Sequence, residues 1–231
     1  MAQRSSTARP AVVALFGGIA VLLVLFTLGI KARALLVVGL LVLAPGFWWR
    51  WKTREFRRGI RALKRGEAEL SREHFRGFLG AVEHQGGFLR YQPFFNLGRP
   101  YDYVAAAHNN LGALALQSGD RVTARREFEA AIGRRTGFAP AYYGRAAVSL
   151  LDGDLEDAES AARAGLVFEP RYRPCTILVA LCQAERGNRS AAEASLAGLS
   201  KPMNWNEAPI LWAKMYHLWG EPDRAAKWEA A

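Results

Sequence analysis

One interval, repeated through the second half of the chain, constrains its fold more than any other feature. Four glycine dipeptides follow one another at intervals of 34, 34 and 33 residues, namely Gly119-Asp120, Gly153-Asp154, Gly187-Asn188 and Gly220-Glu221. An alanine stands five residues after each glycine, at Ala124, Ala158, Ala192 and Ala225. A fixed period of this length indicates stacked copies of one supersecondary unit, each burying a face against its neighbour.

Other positions repeat in the same register. A pair ending in a small residue lies upstream of the first three glycines, at Leu111-Gly112, Arg145-Ala146 and Val179-Ala180, and nine residues downstream stand Phe128, Ala162 and Leu196. This pattern resembles the tetratricopeptide repeat, whose 34-residue unit has a Leu-Gly pair, a small Ala, an aromatic residue and a closing Pro. The resemblance implies an all-α solenoid of antiparallel pairs, helix A and helix B, with the glycine and its Asp or Asn forming the turn and the cap. Arg145 and Ala162 depart from the pattern, because a large apolar residue is usual at both.

We predict three full repeats and a terminal partial repeat in residues 105–231. Residues 50–84 form a basic segment with a degenerate repeat, marked by Gly66-Glu67, Ser71, Phe75 and Phe78. Between the two, residues 85–104 form an insertion whose Gly and Pro residues bar a regular helix. Its aromatic residues either seal the end of the array or contact a partner; they are Phe88, Tyr91, Phe94, Phe95, Tyr101 and Tyr103.

The N-terminal part has the composition of a membrane anchor. Residues 11–30 carry no charge, and residues 34–49 form a second apolar stretch after Lys31-Ala32-Arg33. These lengths favour a two-helix transmembrane hairpin behind a cytoplasmic tail at 1–10. A membrane-interface group follows it, composed of Trp48, Trp49, Trp51, Arg50, Lys52 and Arg54. A signal peptide cleaved near Ala32-Arg33-Ala34 is the alternative.

The charge distribution bears on the partners. The chain has a formal net charge of +10, and eight basic residues fall between Arg50 and Arg65, whereas the residues from Ala105 onward are balanced. A basic segment beside an apolar one favours a lipid bilayer as its partner over nucleic acid, for which no recognised motif is present. The positive-inside bias then predicts a multi-pass protein of a bacterial inner membrane with its repeats in the cytoplasm.

The sequence contains no arrangement of residues typical of catalysis. His74, His84, His108 and His217 form no zinc-binding pair, and no phosphate-binding glycine loop is present. The acidic residues from Asp152 to Glu159 lack the spacing of a calcium loop and are better explained as a helix cap. Cys175 and Cys182 lie too far apart along one helix for a disulfide and are interpreted as core residues. We therefore expect no enzyme, no cofactor, no metal and no small-molecule substrate.

The family resemblance implies a binding groove lined by the A helices. The groove positions correspond to Asn109, Asn110, Ala113 and Leu116 in the first unit, to Tyr143, Ala147 and Leu150 in the second, and to Ile177, Leu181 and Ala184 in the third. Only the two asparagines match the residues with which some members of the family clamp a carboxylate. We expect an apolar groove suited to an amphipathic helix; the alternative is that these residues are inter-helix core.

Two functions fit these features. The first is a membrane-anchored scaffold or assembly factor that binds a protein partner, such as a peptide or helix of a membrane complex, through its helical groove. The alternative is an accessory subunit of a larger integral-membrane enzyme or transporter complex, in which the hairpin makes the main contacts.

Overall fold

The structure is a computed structural model that describes residues 37, 44–85, 102–197, 199, 220–223 and 226. Within these residues there are helices and no strands. Residues 44–52 are helical, and eight further helices follow: α1 (Arg54–Lys64), α2 (Ala68–Gln85), α3 (Tyr103–Gln117), α4 (Arg121–Arg134), α5 (Ala139–Leu151), α6 (Leu155–Phe168), α7 (Arg173–Glu185) and α8 (Arg189–Ala197). The all-helical class expected from the repeat is confirmed for the described part of the chain.

The glycine of each repeat makes the turn that reverses the chain. Gly119, Gly153 and Gly187 have φ angles of 81°, 83° and 75°, a left-handed conformation that costs glycine little. The residue after each glycine donates its N–H to the carbonyl five residues back, as in Asp120 to Ala115 at 2.9 Å. This bond satisfies a carbonyl left open at the end of helix A.

The same residue then begins helix B. Asp120 Oδ1 accepts a hydrogen bond from Thr123 N at 3.0 Å, and Asp154 Oδ1 accepts one from Asp157 N at 2.9 Å. Both bonds satisfy an N–H group in the first turn, which has no partner inside the helix. The predicted combination of turn and cap is therefore confirmed in these two repeats.

The chain divides into two compact units, residues Met1–Asp102 and Tyr103–Ala231. In the first unit α1 packs against α2, and Gly66 makes the turn between them with a φ of 77°. Phe56 of α1 contacts Phe75 and Phe78 of α2 edge to face, with both ring centroids 5.5 Å away. This pair has the geometry of a repeat.

In the second unit, α3 pairs with α4, α5 with α6 and α7 with α8, while the A helices α3, α5 and α7 contact one another in succession. Phe128 of α4 is buried where two repeats meet. A Cβ at Gly112 would lie 2.8 Å from its ring, and one at Gly144 of α5 would lie 2.2 Å away. The Phe128 ring packs between Gly112 and Gly144 and leaves no space for a side chain at either position.

Ion pairs join successive repeats. Arg125 and Glu159 occupy equivalent positions, six residues after the turn glycine of their own repeat. Each pairs with the residue that directly precedes the turn glycine of the next repeat. In the first case Arg125 Nη2 lies 3.1 Å from Asp152 Oδ2; in the second, Glu159 accepts a hydrogen bond from Arg186. The two pairs occupy equivalent places with their charges exchanged.

The predicted inner-membrane location is wrong for this structure. No helix of the described residues is long and apolar enough to cross a membrane. The longest of the eight, α2, has 18 residues, but charged side chains recur along it at Glu69, Arg72, Glu73, Arg76 and Glu83. A span of about 20 apolar residues is required for a hydrocarbon core. The first predicted span, 11–30, and most of the second lie outside the described residues, so the assignment of the repeats to the cytoplasm loses its basis.

Candidate protein-binding face

The three A helices of the second unit present one continuous surface, here called the A-helix face. It consists of the predicted groove residues on α3, α5 and α7. Ala113 and Tyr143 are exposed, Tyr143 with 39% of its surface accessible. Ala184 is buried at 4% and cannot touch a partner. The other members are half-buried: Asn109, Asn110, Leu116, Ala147, Leu150, Ile177 and Leu181.

Several half-buried members also support the array itself. Leu116 packs against the cluster around Phe128, and Ala147 and Leu150 pack against the cluster that contains Ala146 and Ala162. Ile177 and Leu181 pack against Ala180 and Leu196 at the third pair. These side chains therefore belong to the inter-helix core and also keep a solvent-accessible side.

The A-helix face is almost without charge. α3 contains no acidic, lysine or arginine residue, and α7 has only Arg173 at its first position and Glu185 at its last. α5 contains Arg145 alone, whose Nη2 donates to Asp157 Oδ1 of α6 at 2.5 Å. Little charge must therefore be desolvated when an apolar surface covers this face.

Asn109 supplies a polar group. Its Oδ1 is buried and has no hydrogen-bond partner among the described residues. A buried acceptor without a donor is unfavourable, and because this oxygen is buried, a partner that docks on the face does not reach it.

His108, also on α3, points to its own repeat instead. Its Nδ1 lies 2.8 Å from Glu127 Oε2 of α4, and the hydrogen bond to His108 is the main cause that holds the pKa of Glu127 below its usual value, against the opposing effect of burial. In the first unit His74 of α2 and Glu55 of α1 form the same contact at 2.9 Å with the two residue types exchanged. Neither histidine has the surroundings of a metal ligand, and within the described segments no three His, Cys, Asp or Glu residues lie close enough to hold a metal ion.

Arg145 belongs to a polar cluster that occupies the apolar position expected from the repeat pattern. Ser149 Oγ donates to Asp157 Oδ2 at 2.5 Å, and Arg125 donates to the Ser149 hydroxyl at 3.2 Å. The hydrogen bond from Ser149 is the largest cause that lowers the pKa of Asp157, and Arg145 and Arg125 add to it. Asp154 forms a helix cap, as the interpretation of the acidic run predicted, whereas Asp152 and Asp157 form contacts between helices that it did not predict.

The cysteines are core residues, as expected. Cys175 and Cys182 are free and fully buried, and burial raises the pKa of Cys175 to about 12 and that of Cys182 to about 11. At neutral pH both are thiols, which are poor nucleophiles.

The structure places few members of the other two predicted groups. In the aromatic insertion, Phe88, Tyr91, Phe94, Phe95 and Tyr101 lie outside the described residues, and Tyr103 is the first residue of α3. In the membrane-interface group, Trp49 is buried and Trp48 and Lys52 are half-buried. Trp51, Arg50 and Arg54 are exposed, and the Lys52 ammonium and the Arg54 guanidinium lie 4.9 and 5.5 Å from the Trp51 ring centroid.

Solved structures resemble this arrangement of paired helices. A tetratricopeptide-repeat protein of Thermus thermophilus superposes with a TM-score of 0.59 at 21% identity, covering 78% of this chain and 88% of the other. One from Parabacteroides merdae superposes with a TM-score of 0.53 at 16% identity, covering 77% of this chain and 63% of the other. The chain has the tetratricopeptide-repeat fold. No protein-family model and no curated protein matches its sequence.

Within the tetratricopeptide-repeat fold of this chain, the sequence pattern pointed to the A helices and not to the connectors between repeats. The connectors between repeats carry exposed arginines and the half-exposed ring of Phe168. The connectors lie outside the repeat consensus. The sequence nevertheless indicates them, because arginine and aromatic residues occur together in residues 134–138 and again, one repeat later, in residues 168–173.

Proposed function

We propose that the chain is an interaction scaffold that binds an apolar or amphipathic helix of a partner protein on the A-helix face and performs no catalysis itself. The observation that carries the proposal is the combination of exposed apolar residues and absent charge on α3, α5 and α7, centred on Tyr143. The tetratricopeptide-repeat fold supports it, since such arrays present extended surfaces.

The chemistry of the face favours a helix over a charged ligand. Ala113 and Ala147 are small and let a partner backbone approach, while Tyr143 offers a large ring with a polar end. An amphipathic helix would place apolar side chains at intervals of three and four residues against these positions.

The alternative of an accessory membrane subunit depended on the hairpin at 11–49. None of the described residues favours it over the scaffold.

The proposal is tested by site-specific photo-crosslinking in cells that make the full chain. A photoreactive phenylalanine analogue replaces Tyr143 in one variant and Val122 in the control. Val122 is exposed on α4, a B helix of the same unit, and lies outside the A-helix face. We expect one dominant crosslinked protein from position 143 and little or none from 122.

The crosslinked protein is then identified by mass spectrometry, purified and titrated. Tyr143→Ala should weaken its binding about tenfold or more, as expected for the loss of an aromatic anchor at an interface, and Val122→Ala should leave it unchanged. Equal crosslinking from both positions, or equal affinity of both alanine variants, would show that the partner does not use the A-helix face.

A further inference from the structure

Two connectors of the second unit meet along one edge. The first joins α4 to α5 and the second joins α6 to α7, one repeat later. Their contact is direct: a Cβ at Gly137 would lie 3.8 Å from the Phe168 ring, and Phe168 stacks on Tyr142 with ring centroids 5.7 Å apart. Residues at corresponding places in the two connectors are therefore separated by about the 10 Å that divides packed helices.

The surface formed there, here called the connector edge, is basic and apolar. It consists of six exposed or half-buried residues, Arg134, Arg135, Val167, Phe168, Arg171 and Arg173. The only acidic side chain within 134–138 and 167–173 is Glu169. Val167 is 77% exposed and Phe168 50%, so apolar area lies directly beside the arginines.

The opposite edge, where helix A turns into helix B, has a different balance. Its acidic residues are used by the array: Asp120 and Asp154 cap helices, and Asp152 pairs with Arg121 and Arg125. At the connector edge, by contrast, the N-cap residues of α5 and α7 are Phe138 and Tyr172, and neither side chain forms a cap hydrogen bond.

We propose that the connector edge binds an acidic, extended segment of a partner protein in which apolar residues stand between the carboxylates. Arginine recognises carboxylate by paired hydrogen bonds, and Val167 and Phe168 would cover the intervening apolar side chains. Because an extended chain advances about 3.3 Å per residue, carboxylates about three residues apart reach both connectors. This surface lies beyond the A-helix face, and the proposal does not depend on the partner helix proposed there.

A polypeptide fits this edge better than a nucleic acid. Single-stranded nucleic acid is held by aromatic rings with free faces on which bases stack. One face of Phe168 is already covered by Tyr142, and the Arg135 guanidinium lies 6.0 Å from the centroid of the half-buried Phe138 ring. Tyr172 is half-buried as well, and Val167 offers no ring.

Fluorescence anisotropy of the purified full chain tests the proposal with defined probes. The main probe is a labelled synthetic peptide of four Glu-Glu-Leu repeats, and the comparisons are its Lys-Lys-Leu and Gln-Gln-Leu counterparts and a single-stranded oligonucleotide of equal charge. We expect the acidic peptide alone to bind, and its affinity to fall as salt is raised. Arg171→Glu should weaken it about threefold and Arg134→Glu with Arg171→Glu about tenfold, the size expected for exposed charge pairs.

Arg126→Glu is the matched control, because Arg126 is an exposed residue of the middle of α4 and the charge change is identical. Circular dichroism checks that every variant remains helical, and Phe168→Ala, which alters no charge, should also weaken binding of the acidic peptide. An equal loss in the Arg126 variant, equally tight binding of the oligonucleotide, or no binding of the acidic peptide at low salt would overturn the proposal. None of these results would contradict the proposed binding of a partner helix to the A-helix face, because Tyr143→Ala tests that proposal separately.

Discussion

The first and second repeats of the array solve the same packing problem in different ways. Where helix B of the first repeat carries Phe128, helix A carries Gly112; where helix B of the second carries Ala162, helix A carries Ala146. The α1–α2 pair follows the first solution, because a Cβ at Gly59 would lie 2.9 Å from the Phe75 ring. The pair of residues at the crossing of the two helices therefore differs between repeats: a ring faces a glycine in one solution, and two alanines of smaller total volume face each other in the other.

The two repeats also differ in polarity. The position that Leu111 fills with a buried apolar side chain is occupied in the second repeat by Arg145, with Ser149 and Asp157 as its partners. The second crossing is thus closed by small residues and hydrogen bonds, whereas the first is closed by a ring. This difference sets the size of the effects expected from substitution.

The largest difference is expected between the two B-helix positions. Phe128→Ala should lower the free energy of unfolding by about 4 kcal/mol, because it opens a cavity between Gly112 and Gly144. Ala162→Gly should cost only about 1 kcal/mol, close to the helix propensity of the two residues. Urea denaturation followed by circular dichroism measures both, and similar costs would mean that the two crossings do not differ as described.

Gly144→Ala examines the close approach between the repeats. Its new methyl group would lie 2.2 Å from Phe128 Cε1, so we expect a loss of about 3 kcal/mol from overpacking. The same substitution in a Phe128→Leu background should cost clearly less, which a double-mutant cycle in urea detects. Gly133→Ala is the matched control: its Cβ meets nothing within 4 Å, and it should stabilise the chain by up to about 1 kcal/mol.

Asp157→Asn examines the polar closure of the second repeat. It keeps the shape of the side chain but removes the charge that pairs with Arg145 and Arg125. Both guanidinium groups are partly exposed, so we expect a loss of about 1 kcal/mol in thermal or urea denaturation. Glu156→Gln, on the exposed side of the same first turn, should change the stability by less than half of that, and an equal effect would argue against a specific role of Asp157.

We expect the pH dependence of the stability to be a smaller effect, which also arises from carboxylates paired between helices. The pKa values of Asp157 and Glu127 are held below the usual values of 3.8 and 4.5. A carboxyl whose pKa is lower in the folded chain stabilises it above the unfolded value, and the stabilisation is lost as the pH falls through the folded value. The urea midpoint should therefore decrease below a pH of about 4.5, and less steeply in Asp157→Asn; identical slopes would exclude Asp157 as a contributor.

The sequence was sufficient to locate the helix pairs because the turn depends on local chemistry. A glycine at positive φ followed by Asp or Asn satisfies both helix ends within a few residues. The glycine part of this signal survives at Gly66, where Glu67 follows, although the rest of that repeat is degenerate. The partners of Arg145 and Phe128 depend on which helices become neighbours in space. No local pattern indicates that Gly144, in the following repeat, accommodates the Phe128 ring.

The candidate site was predicted unevenly for the same reason. Tyr143 and Ala113 follow from the repeat register and are exposed as a groove residue requires, whereas Ala184, which corresponds to the half-buried Leu116 and Leu150, is buried. The exposure of a residue depends on which side chains pack over it, and the repeat spacing does not determine these neighbours. The inner-membrane location was inferred from two apolar stretches and the basic residues that follow them, and it failed because no described helix is long and apolar enough to cross a membrane.

The exchanged charges of the ion pairs between repeats have a consequence for how the chain finds its order. If the third turn docked where the second belongs, Arg125 would face Arg186, and the reverse error would bring Glu159 against Asp152. Repulsion between like charges thus penalises either skipped neighbour, although the backbones of the two repeats are nearly interchangeable. The charges at each junction thus distinguish the correct neighbour from the next one, which discourages the omission of a repeat during folding.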